Sequence, residues 1–498
     1  MLRRLLLALA FALIAPAFPS SGQGVGVLPL PALPEAQDSP APRTALHDPF
    51  CPVEFPDVAP RRMDGPPPIV EVGVSTLCVP AWGKRGFEYW AARLHRAGRA
   101  PALVELFDLA WMDEVSPLLS EPIAGALVLY LVNRWGREGL AGRLAAWRPD
   151  RGELESMEGE WMAFLDALLR SHRGVIEDDL SHAAARRSDA SLERLAALGA
   201  NGVAILPYAF LSDPDRPAPI RPPTRPGSET DGAVVHAVRT AQSLGLTVLL
   251  KPHIWVRDSW PGEVRMASRA DWDRFFEYYE RWILHYALIA EIHDIPLLSV
   301  GVELSAATLG REDRWVELVQ RVRAVYSGAV VYSANWGEEF EGLGFWNAFN
   351  YIGVDAYYPL SPNPEASDRE LREGAEAMLG RIETVHRRYG VPVLLTEVGF
   401  ASTRAAWTRP WEGHRIQELS LRDQFRSYLA VLEALEGRAW VRGVFWWKWP
   451  SDPRRVERSP RGFKPLGKPV EALLTGWVRG DPASAWPRWS EVSSDRSK

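Results

Sequence analysis

Cysteine is scarce in this chain: its 498 residues include two, Cys51 and Cys78. Neither lies in a C-x-x-C pair or beside histidines, and the H-E-x-x-H motif of zinc peptidases is absent. The sequence therefore predicts no metal site, and it holds no ligand cluster that suggests an organic cofactor. In an oxidising compartment the two cysteines can form a disulfide or remain free, and the sequence leaves both open.

The chain also lacks a strong excess of charge and, beyond its N-terminus, any long apolar run. Its formal net charge of -6 provides no basic field for phosphate backbones, so nucleic acid is not expected as a partner. After the N-terminus no segment has the roughly 18 consecutive apolar residues of a membrane span. Hydrophobic residues at 47% and charged residues at 24% are ordinary for a globular protein, and neutral substrates fit this composition best.

Tryptophan, in contrast, is abundant, with 22 copies. Its side chain is rarely buried completely and often presents one ring face to solvent or to a ligand. Sugar rings stack on such faces, so the abundance favours a carbohydrate ligand. Surplus core and surface aromatics are the alternative.

The N-terminus has the pattern of a secretory signal peptide. Arg3 and Arg4 precede an apolar run over 5–14 and the A-x-A site at 15–17. The run is too short to span a bilayer, which predicts cleavage after Ala17 and a secreted or periplasmic protein. Residues 18–68 are rich in proline and alanine and are typical of an extended linker.

Two folded regions follow the linker. Residues 69–168 are predicted to form a small, mainly helical domain, because apolar residues such as Leu127, Tyr130 and Leu131 recur at helical spacing before Gly136. The sequence does not reveal the role of this domain. From residue 172 to about 475, helices alternate with short apolar strands, and 476–498 is predicted to be a C-terminal tail.

The strand count predicts an α/β fold, a (β/α)8 or TIM barrel. Continuous apolar runs are typical of parallel strands buried on both faces, and eight of them fit a closed barrel better than an open sheet. The predicted strands cover 174–176, 203–206, 246–250, 296–300, 329–332, 351–354, 391–395 and 441–445. In such barrels the chemistry lies at the C-terminal ends of the strands.

Polar and aromatic residues follow the apolar runs at that edge. Glu303 follows the fourth run and Glu397 the seventh, 94 residues apart. Two glutamates on opposite sides of a barrel rim are a glycosidase arrangement, in which one acid protonates the leaving oxygen and one carboxylate attacks the anomeric carbon. The other candidates, predicted to bind substrate, are Lys251, His253, Trp260, Asn335, Trp336, Tyr357 and Trp446.

Four stretches resemble glycoside hydrolases of clan A. They are Val-Gly-Val-Glu-Leu at 300–304, Ser-Ala-Asn-Trp at 333–336, Ile-Gly-Val-Asp-Ala-Tyr-Tyr-Pro at 352–359 and Leu-Thr-Glu-Val-Gly at 395–399. Within the clan the sequence is most similar to family 113, the endo-β-1,4-mannanases, over about residues 172–470. The resemblance implies that Glu303 is the acid/base and Glu397 the nucleophile of a retaining enzyme. It implies no cofactor, and a polysaccharide or oligosaccharide as substrate.

One position departs from the clan pattern. Many clan members have Asn immediately before the acid/base, where it binds the sugar 2-hydroxyl, whereas this chain has Val302. Either Asn335 or His253 takes that role, or the substrate preference differs.

The roles of the other candidates follow from their types and positions. Tyr357 is predicted to hydrogen-bond the nucleophile, and Trp446 to form the floor under the reacting sugar, with packing in the barrel as its alternative. Lys251 and His253 bind sugar hydroxyls or hold the network together. Trp260 and Trp336 are candidates for stacking on sugar rings at the rim of the barrel, or they are loop residues that simply cover the barrel.

Two other functions remain open from the sequence. One is a retaining glycosidase for a different β-linked polysaccharide, since loops set specificity on this fold. The other is a carbohydrate-binding barrel without turnover, against which the presence of both glutamates argues. Endo or exo action and oligomeric state are left open.

Overall fold

A computed structural model of the chain describes most of the residues beyond 67. The described ranges are 8–14, 67–78, 86–96, 100–108, 117–136, 140–171, 182–223, 228–412, 418–452 and 460–481, with single residues at 115, 483, 486, 487 and 489. The chain divides into two compact units, a barrel unit of Met1–Pro16 and Glu177–Lys498 and a helical unit of Ala17–Ile176. Cys51 and all of the predicted linker except residues 67 and 68 lie outside the described residues.

Helices make up the described part of the helical unit. Gly73 and Gly125 lie where two of them approach closely, since a Cβ on Gly73 would lie 2.2 Å from the Ala124 carbonyl oxygen. Trp161 is fully buried and packs edge-on against Tyr130. The helices are α1 (Pro68–Cys78), α2 (Phe87–Arg96), α3 (Leu103–Leu106), α4 (Pro117–Trp135), α5 (Leu140–Ala146) and α6 (Arg151–Ser171).

The barrel unit is a closed sheet surrounded by helices. Seven strands run parallel in the order β2-β4-β6-β7-β8-β9-β10. They are β2 (Gly202–Leu206), β4 (Thr247–Leu250), β6 (Leu297–Val302), β7 (Ala329–Asn335), β8 (Tyr351–Asp355), β9 (Val393–Val398) and β10 (Val441–Pro450). Each overlaps a predicted strand, so the predicted TIM-barrel class is confirmed.

The helices of the barrel unit alternate with these strands in sequence, with one helix before the first strand and one after the last. Among those that pack on the sheet, α9 contributes Phe275, Tyr279 and Trp282 to the core. The helices are α7 (His182–Ala197), α8 (Asp231–Ser243), α9 (Arg269–Ile292), α10 (Ser305–Thr308), α11 (Glu312–Arg323), α12 (Glu338–Gly342), α13 (Asp368–Tyr389), α14 (Leu421–Leu435) and α15 (Pro469–Val478). Because α15 crosses residue 475, the predicted boundary of the C-terminal tail falls inside a helix. No helix among the described residues is long and apolar enough to cross a membrane.

A packed apolar cluster lies inside the barrel. The strands are buried along almost their whole length, as expected for strands covered on both faces. Seven of their buried residues form one packed apolar cluster, as in other filled barrels of this class. Its members are Ala204, Leu206, Leu249, Leu297, Val331, Leu394 and Phe445.

The strand that closes the barrel differs from the prediction. Strand β1 (Ala8–Ile14) lies between β2 and β10 and is antiparallel to both. The predicted first strand at 174–176 and the predicted cleavage site after Ala17 lie outside the described residues. Residues 8–14 are apolar and of strand length, so the same run satisfies the pattern of a leader and that of a buried barrel strand.

A second, two-stranded sheet was not predicted. Strands β3 (Tyr208–Leu211) and β5 (His253–Val256) begin two and three residues after a barrel strand ends, and they pair in parallel. A backbone hydrogen bond also links the start of β5 to the residue before β3, since the His253 N–H donates to the Pro207 carbonyl at 2.9 Å. This sheet extends two neighbouring strand ends beyond the barrel.

Candidate active site

The register of the parallel strands brings polar residues together at one edge of the barrel. Asn335 pairs with Asp355 across β7 and β8, and Asp355 pairs with Glu397 across β8 and β9. Glu303 directly follows β6, and its N–H donates to the Ser333 carbonyl of β7 at 2.8 Å. The predicted strand-end residues therefore meet at the carboxyl edge, as the barrel fold requires.

Lys251 is the centre of this cluster. Its side chain is fully buried, and Nζ donates to Glu397 Oε1 at 2.6 Å and to Asp355 Oδ1 and Oδ2 at 3.0 and 3.1 Å. Burial alone would lower the pKa of Lys251, but the two carboxylates outweigh burial and raise it. The lysine thus remains charged and serves as a shared cation for two carboxylates rather than as a sugar ligand.

Glu397 is buried in β9 and both of its oxygens are held. Lys251 binds Oε1, and the Tyr357 hydroxyl donates to Oε2 at 2.8 Å. Its side chain is 7% exposed, so one edge still faces the barrel mouth. Two donors, one of them cationic, therefore fix the position of this carboxyl group. The hydrogen bond from Tyr357 is the contact predicted from the sequence.

Asp355 anchors the lysine and does not face solvent. Its side chain is fully buried and also accepts from the Thr396 hydroxyl at 2.7 Å. Burial and the charge of Glu397 raise the pKa of Asp355, while Lys251 and Thr396 oppose the rise. Because it is enclosed by these partners, Asp355 positions Lys251 and does not contact a substrate.

Glu303 has the opposite environment from Glu397. Its side chain is partly exposed at the rim, and no cation contacts it among the described residues. Burial of the carboxyl group, with the charges of Asp355 and Glu397, raises the pKa of Glu303 well above its ordinary value. Its backbone has φ 52°, a left-handed conformation uncommon outside glycine. The cluster therefore combines a carboxyl group held by a lysine and a tyrosine with one whose raised pKa favours the protonated form.

Glu339 braces the chain that carries Glu303 and was missed by sequence reasoning. This buried carboxylate accepts from the hydroxyls of Ser305, Thr308 and Tyr332 at 3.0, 2.9 and 2.6 Å, and from the Asn335 N–H at 2.7 Å. Tyr332 in turn accepts from the N–H of the residue after Glu303 at 2.9 Å. A glutamate in the Gly-Glu-Glu segment at 337–339 has no sequence signal that separates it from a solvated charge.

His253 lies beside the cluster as a neutral ring. Burial is the main reason that its pKa is lowered to about 4, and the charge of Lys251 adds to the effect. Nδ1 lies 3.0 Å from the Ile254 carbonyl, which only accepts, so Nδ1 carries the proton and Nε2 is an acceptor. The ring lies 5.1 Å from that of Tyr208. His253 can therefore accept a hydrogen bond from a substrate hydroxyl.

Asn335, Trp336 and Trp260 lie at or near the rim. Asn335 ends β7 with a partly exposed side chain, next to Asp355 in register. Trp336 follows it and packs against the rings of Tyr358 and Trp411 at 5.2 and 5.1 Å. Trp260 is 37% exposed. Contact of these three residues with substrate stays a prediction.

Trp446 does not lie where the sequence argument placed it. It is fully buried and stacks on Tyr428 of α14 with ring centres 4.7 Å apart, so it offers no face to a sugar. Side chains alternate along a strand, and Phe445 points into the barrel core, so Trp446 points outward. The next residue, Trp447, is partly exposed and packs against the core cluster from the barrel side. Trp447 is the aromatic floor candidate.

The protein is similar to a known enzyme family. The model of Glycoside Hydrolase Family 113 matches residues 178–468, more than half of the chain. The chain belongs to glycoside hydrolase family 113. It is therefore a glycoside hydrolase, with the active-site edge described above inside the matched region.

Solved structures of family 113 enzymes agree. One is the GH113 beta-mannanase AaManA from Alicyclobacillus acidocaldarius in complex with ManMIm, with 26% identity and a TM-score of 0.54 over 61% of this chain and 96% of that one. A GH113 beta-1,4-mannanase solved as a complex has 25% identity and a TM-score of 0.53, covering 59% and 94% of the two chains. No curated protein matches this glycoside hydrolase.

Proposed function

We propose that this glycoside hydrolase is an exported, retaining enzyme that cleaves β-1,4-linked mannan, with Glu303 as acid/base and Glu397 as nucleophile. One observation carries the mechanism: the two glutamates have opposite environments. Glu397 is held by Lys251 and Tyr357, whereas the pKa of Glu303 is raised by burial and by neighbouring carboxylates. Separated proton affinities are what a carboxyl pair needs to divide the acid and nucleophile roles.

In the first step Glu397 attacks the anomeric carbon while Glu303 donates its proton to the glycosidic oxygen. The bond from that carbon to the oxygen breaks, a bond to a Glu397 oxygen forms, and the aglycone leaves as a neutral alcohol. The negative charge of Glu397 is consumed in the bond, which leaves Lys251 paired with Asp355. Glu303 becomes negatively charged as it gives up its proton, so the net charge of the cluster does not change.

In the second step Glu303, now ionised, takes a proton from water as the water oxygen attacks the anomeric carbon. The bond to Glu397 breaks, and its carboxylate re-forms between the Lys251 ammonium and the Tyr357 hydroxyl. These donors stabilise the leaving carboxylate. Two inversions give net retention, which requires carboxyl groups about 5 to 5.5 Å apart.

The mannan assignment rests on the family, whose similar solved structures are β-mannanases. A second candidate is a retaining glycosidase for another β-linked polysaccharide. It is favoured by Val302, which is buried and apolar at the position before the acid/base and cannot donate a hydrogen bond to a sugar hydroxyl. Asn335 and His253 are the polar groups that we propose for that hydroxyl.

The experiment measures reducing ends released from β-linked polysaccharides, mannan and glucomannan included, by the wild type and by Glu397→Gln. We expect hydrolysis of mannan that is lost in the variant. Hydrolysis of a different glycan, also lost, would replace the substrate and keep the mechanism. Activity that survives Glu397→Gln would contradict the nucleophile assignment.

The acid/base role has its own test. Glu303→Ala should still form the covalent intermediate from a substrate with a good leaving group, which needs no protonation, but should release it slowly. Added azide attacks without a base, so it should restore turnover and yield a glycosyl azide of retained configuration. Absence of rescue would assign the acid/base to another residue.

Export is proposed from the N-terminal pattern alone. Fractionation of cells that express the full chain, followed by N-terminal sequencing, should find the protein outside the cytoplasm and beginning at Phe18. A cytoplasmic protein with an intact N-terminus would contradict it.

A further inference from the structure

The small sheet of β3 and β5 has one face that is aromatic throughout. Tyr208 pairs with His253, and Phe210 pairs with Trp255. Residues two apart on a strand share a face, so these four side chains line the same side. The intervening residues, Ala209, Leu211, Ile254 and Val256, are buried on the other side.

The outer half of this face is open. Phe210 is 46% exposed and Trp255 is 48% exposed, which makes them the two most exposed large aromatic side chains among the described residues. Adjacent exposed aromatics of this size are uncommon on a soluble surface without a ligand or partner. The Arg257 guanidinium lies over the Phe210 ring at 5.4 Å, at the outer end of this aromatic face.

The inner half of the same face belongs to the active-site edge. His253 follows Lys251, which contacts Glu397, by two residues, and Tyr208 packs against the core cluster of the barrel. The Tyr208 ring lies 5.1 Å from His253 and 6.5 Å from Trp255, so the rings form a continuous series. Successive pairs lie about 6.6 Å apart along the strands. The face therefore leads outward from the reacting carbon in steps of the order of one sugar ring.

We propose that the Phe210 and Trp255 face binds sugar rings of the β-linked chain beyond the cleavage site, as a track that extends the active site. This inference rests on the proposed function, because the occupant is the substrate itself. Continuity with His253 and Tyr208 favours the substrate as occupant over a separate protein, since a partner on this face would cover the entrance to the catalytic edge. The apolar faces of neutral sugars match exposed aromatic rings.

The test compares short and long substrates. Trp255→Ala is measured in two ways: binding of oligosaccharides of increasing length by calorimetry in the inactive Glu397→Gln background, and hydrolysis of a short aryl glycoside in the active background. Leu419→Ala is the matched control, because Leu419 is 46% exposed on the same unit. Circular dichroism and thermal unfolding establish that the variants fold.

For long oligosaccharides we expect Trp255→Ala to weaken binding about tenfold, equivalent to about 1.4 kcal/mol. Binding and hydrolysis of the short substrate should change by less than twofold. Trp255→Phe should restore most of the loss, because it retains an aromatic face, and Phe210→Ala should act in the same direction as Trp255→Ala. Leu419→Ala should change neither.

Equal effects of Trp255→Ala on short and long substrates, or none on either, would overturn the track while hydrolysis by the wild type upholds the proposed function. If the wild type hydrolyses no β-linked chain and the inactive variant binds none, both are overturned.

Discussion

Replacing Lys251 with Met tests the role of the lysine charge between the two buried carboxyl groups. Met has nearly the same length but no charge, so the buried pair of Asp355 and Glu397 loses its common cation. Removal of one partner from a buried ion pair costs about 3 to 5 kcal/mol. The two carboxylates avoid this cost by taking up a proton between them.

The size of the effect follows from the same figure. One pKa unit corresponds to about 1.4 kcal/mol, so about 3 kcal/mol or more corresponds to two units or more. We expect the acid limb of kcat/KM to shift upward by about two pH units in Lys251→Met, which at a pH below both limbs is about a hundredfold loss. The loss should shrink as pH rises, because the nucleophile then ionises without the lysine.

The assay is kcat/KM across pH for the wild type, Lys251→Met and the double variant Lys251→Met with Asp355→Asn. The double variant lacks the second carboxylate, so its acid limb should lie between that of the wild type and that of Lys251→Met. Lys468→Met is the control, since Lys468 donates to the Ser402 hydroxyl and to the Gly462 carbonyl, neither of which belongs to the carboxyl cluster. An unshifted profile in Lys251→Met, or a double variant with a larger shift than the single one, would refute the reasoning.

Three further predictions concern Glu303, Glu339 and the N-terminus. The raised pKa of Glu303 means that the folded chain keeps a proton that the unfolded chain has lost, so stability falls as pH rises through that window. Glu303→Gln should therefore raise Tm near neutral pH and leave it unchanged in acid; an equal rise at both would contradict this. Glu339→Gln places an amide donor among four hydrogen-bond donors. A buried unsatisfied group costs about 1 to 3 kcal/mol, so the variant should have a lower Tm and a kcat reduced about tenfold. A normal kcat and an unchanged basic limb of the pH profile would show that Glu339 does not position Glu303. A chain that begins at Phe18 should retain wild-type kcat/KM and Tm, as expected after removal of a leader, whereas loss of both would make Ala8–Ile14 an integral strand.

The barrel was predictable because its strands are buried on both faces. Such strands must be apolar without interruption, and seven predicted runs overlap seven observed parallel strands. The site was predictable for a related reason: a charged residue directly after an apolar run lies at the strand end, as Glu303 does. The register of Asp355 with Glu397 then follows from the parallel pairing.

What sequence reasoning missed depends on side-chain direction and on tertiary contacts. Trp446 and Trp447 are chemically equivalent in the sequence, and only the strand parity set by Phe445 shows which of them faces the barrel. Glu339 looks like a solvated charge until its four donors are placed around it. The run over 8–14 fits a leader and a strand equally well, because both require short apolar segments.

The most direct test of the catalytic pair is to trap the covalent intermediate. A 2-deoxy-2-fluoro β-glycosyl fluoride of the sugar that the enzyme hydrolyses is incubated with the protein, and the labelled peptide is identified by mass spectrometry. The account predicts one glycosyl unit on Glu397 in the wild type and none in Glu397→Gln. A label on any other residue, or hydrolysis of the substrate with inversion and no label, would contradict it.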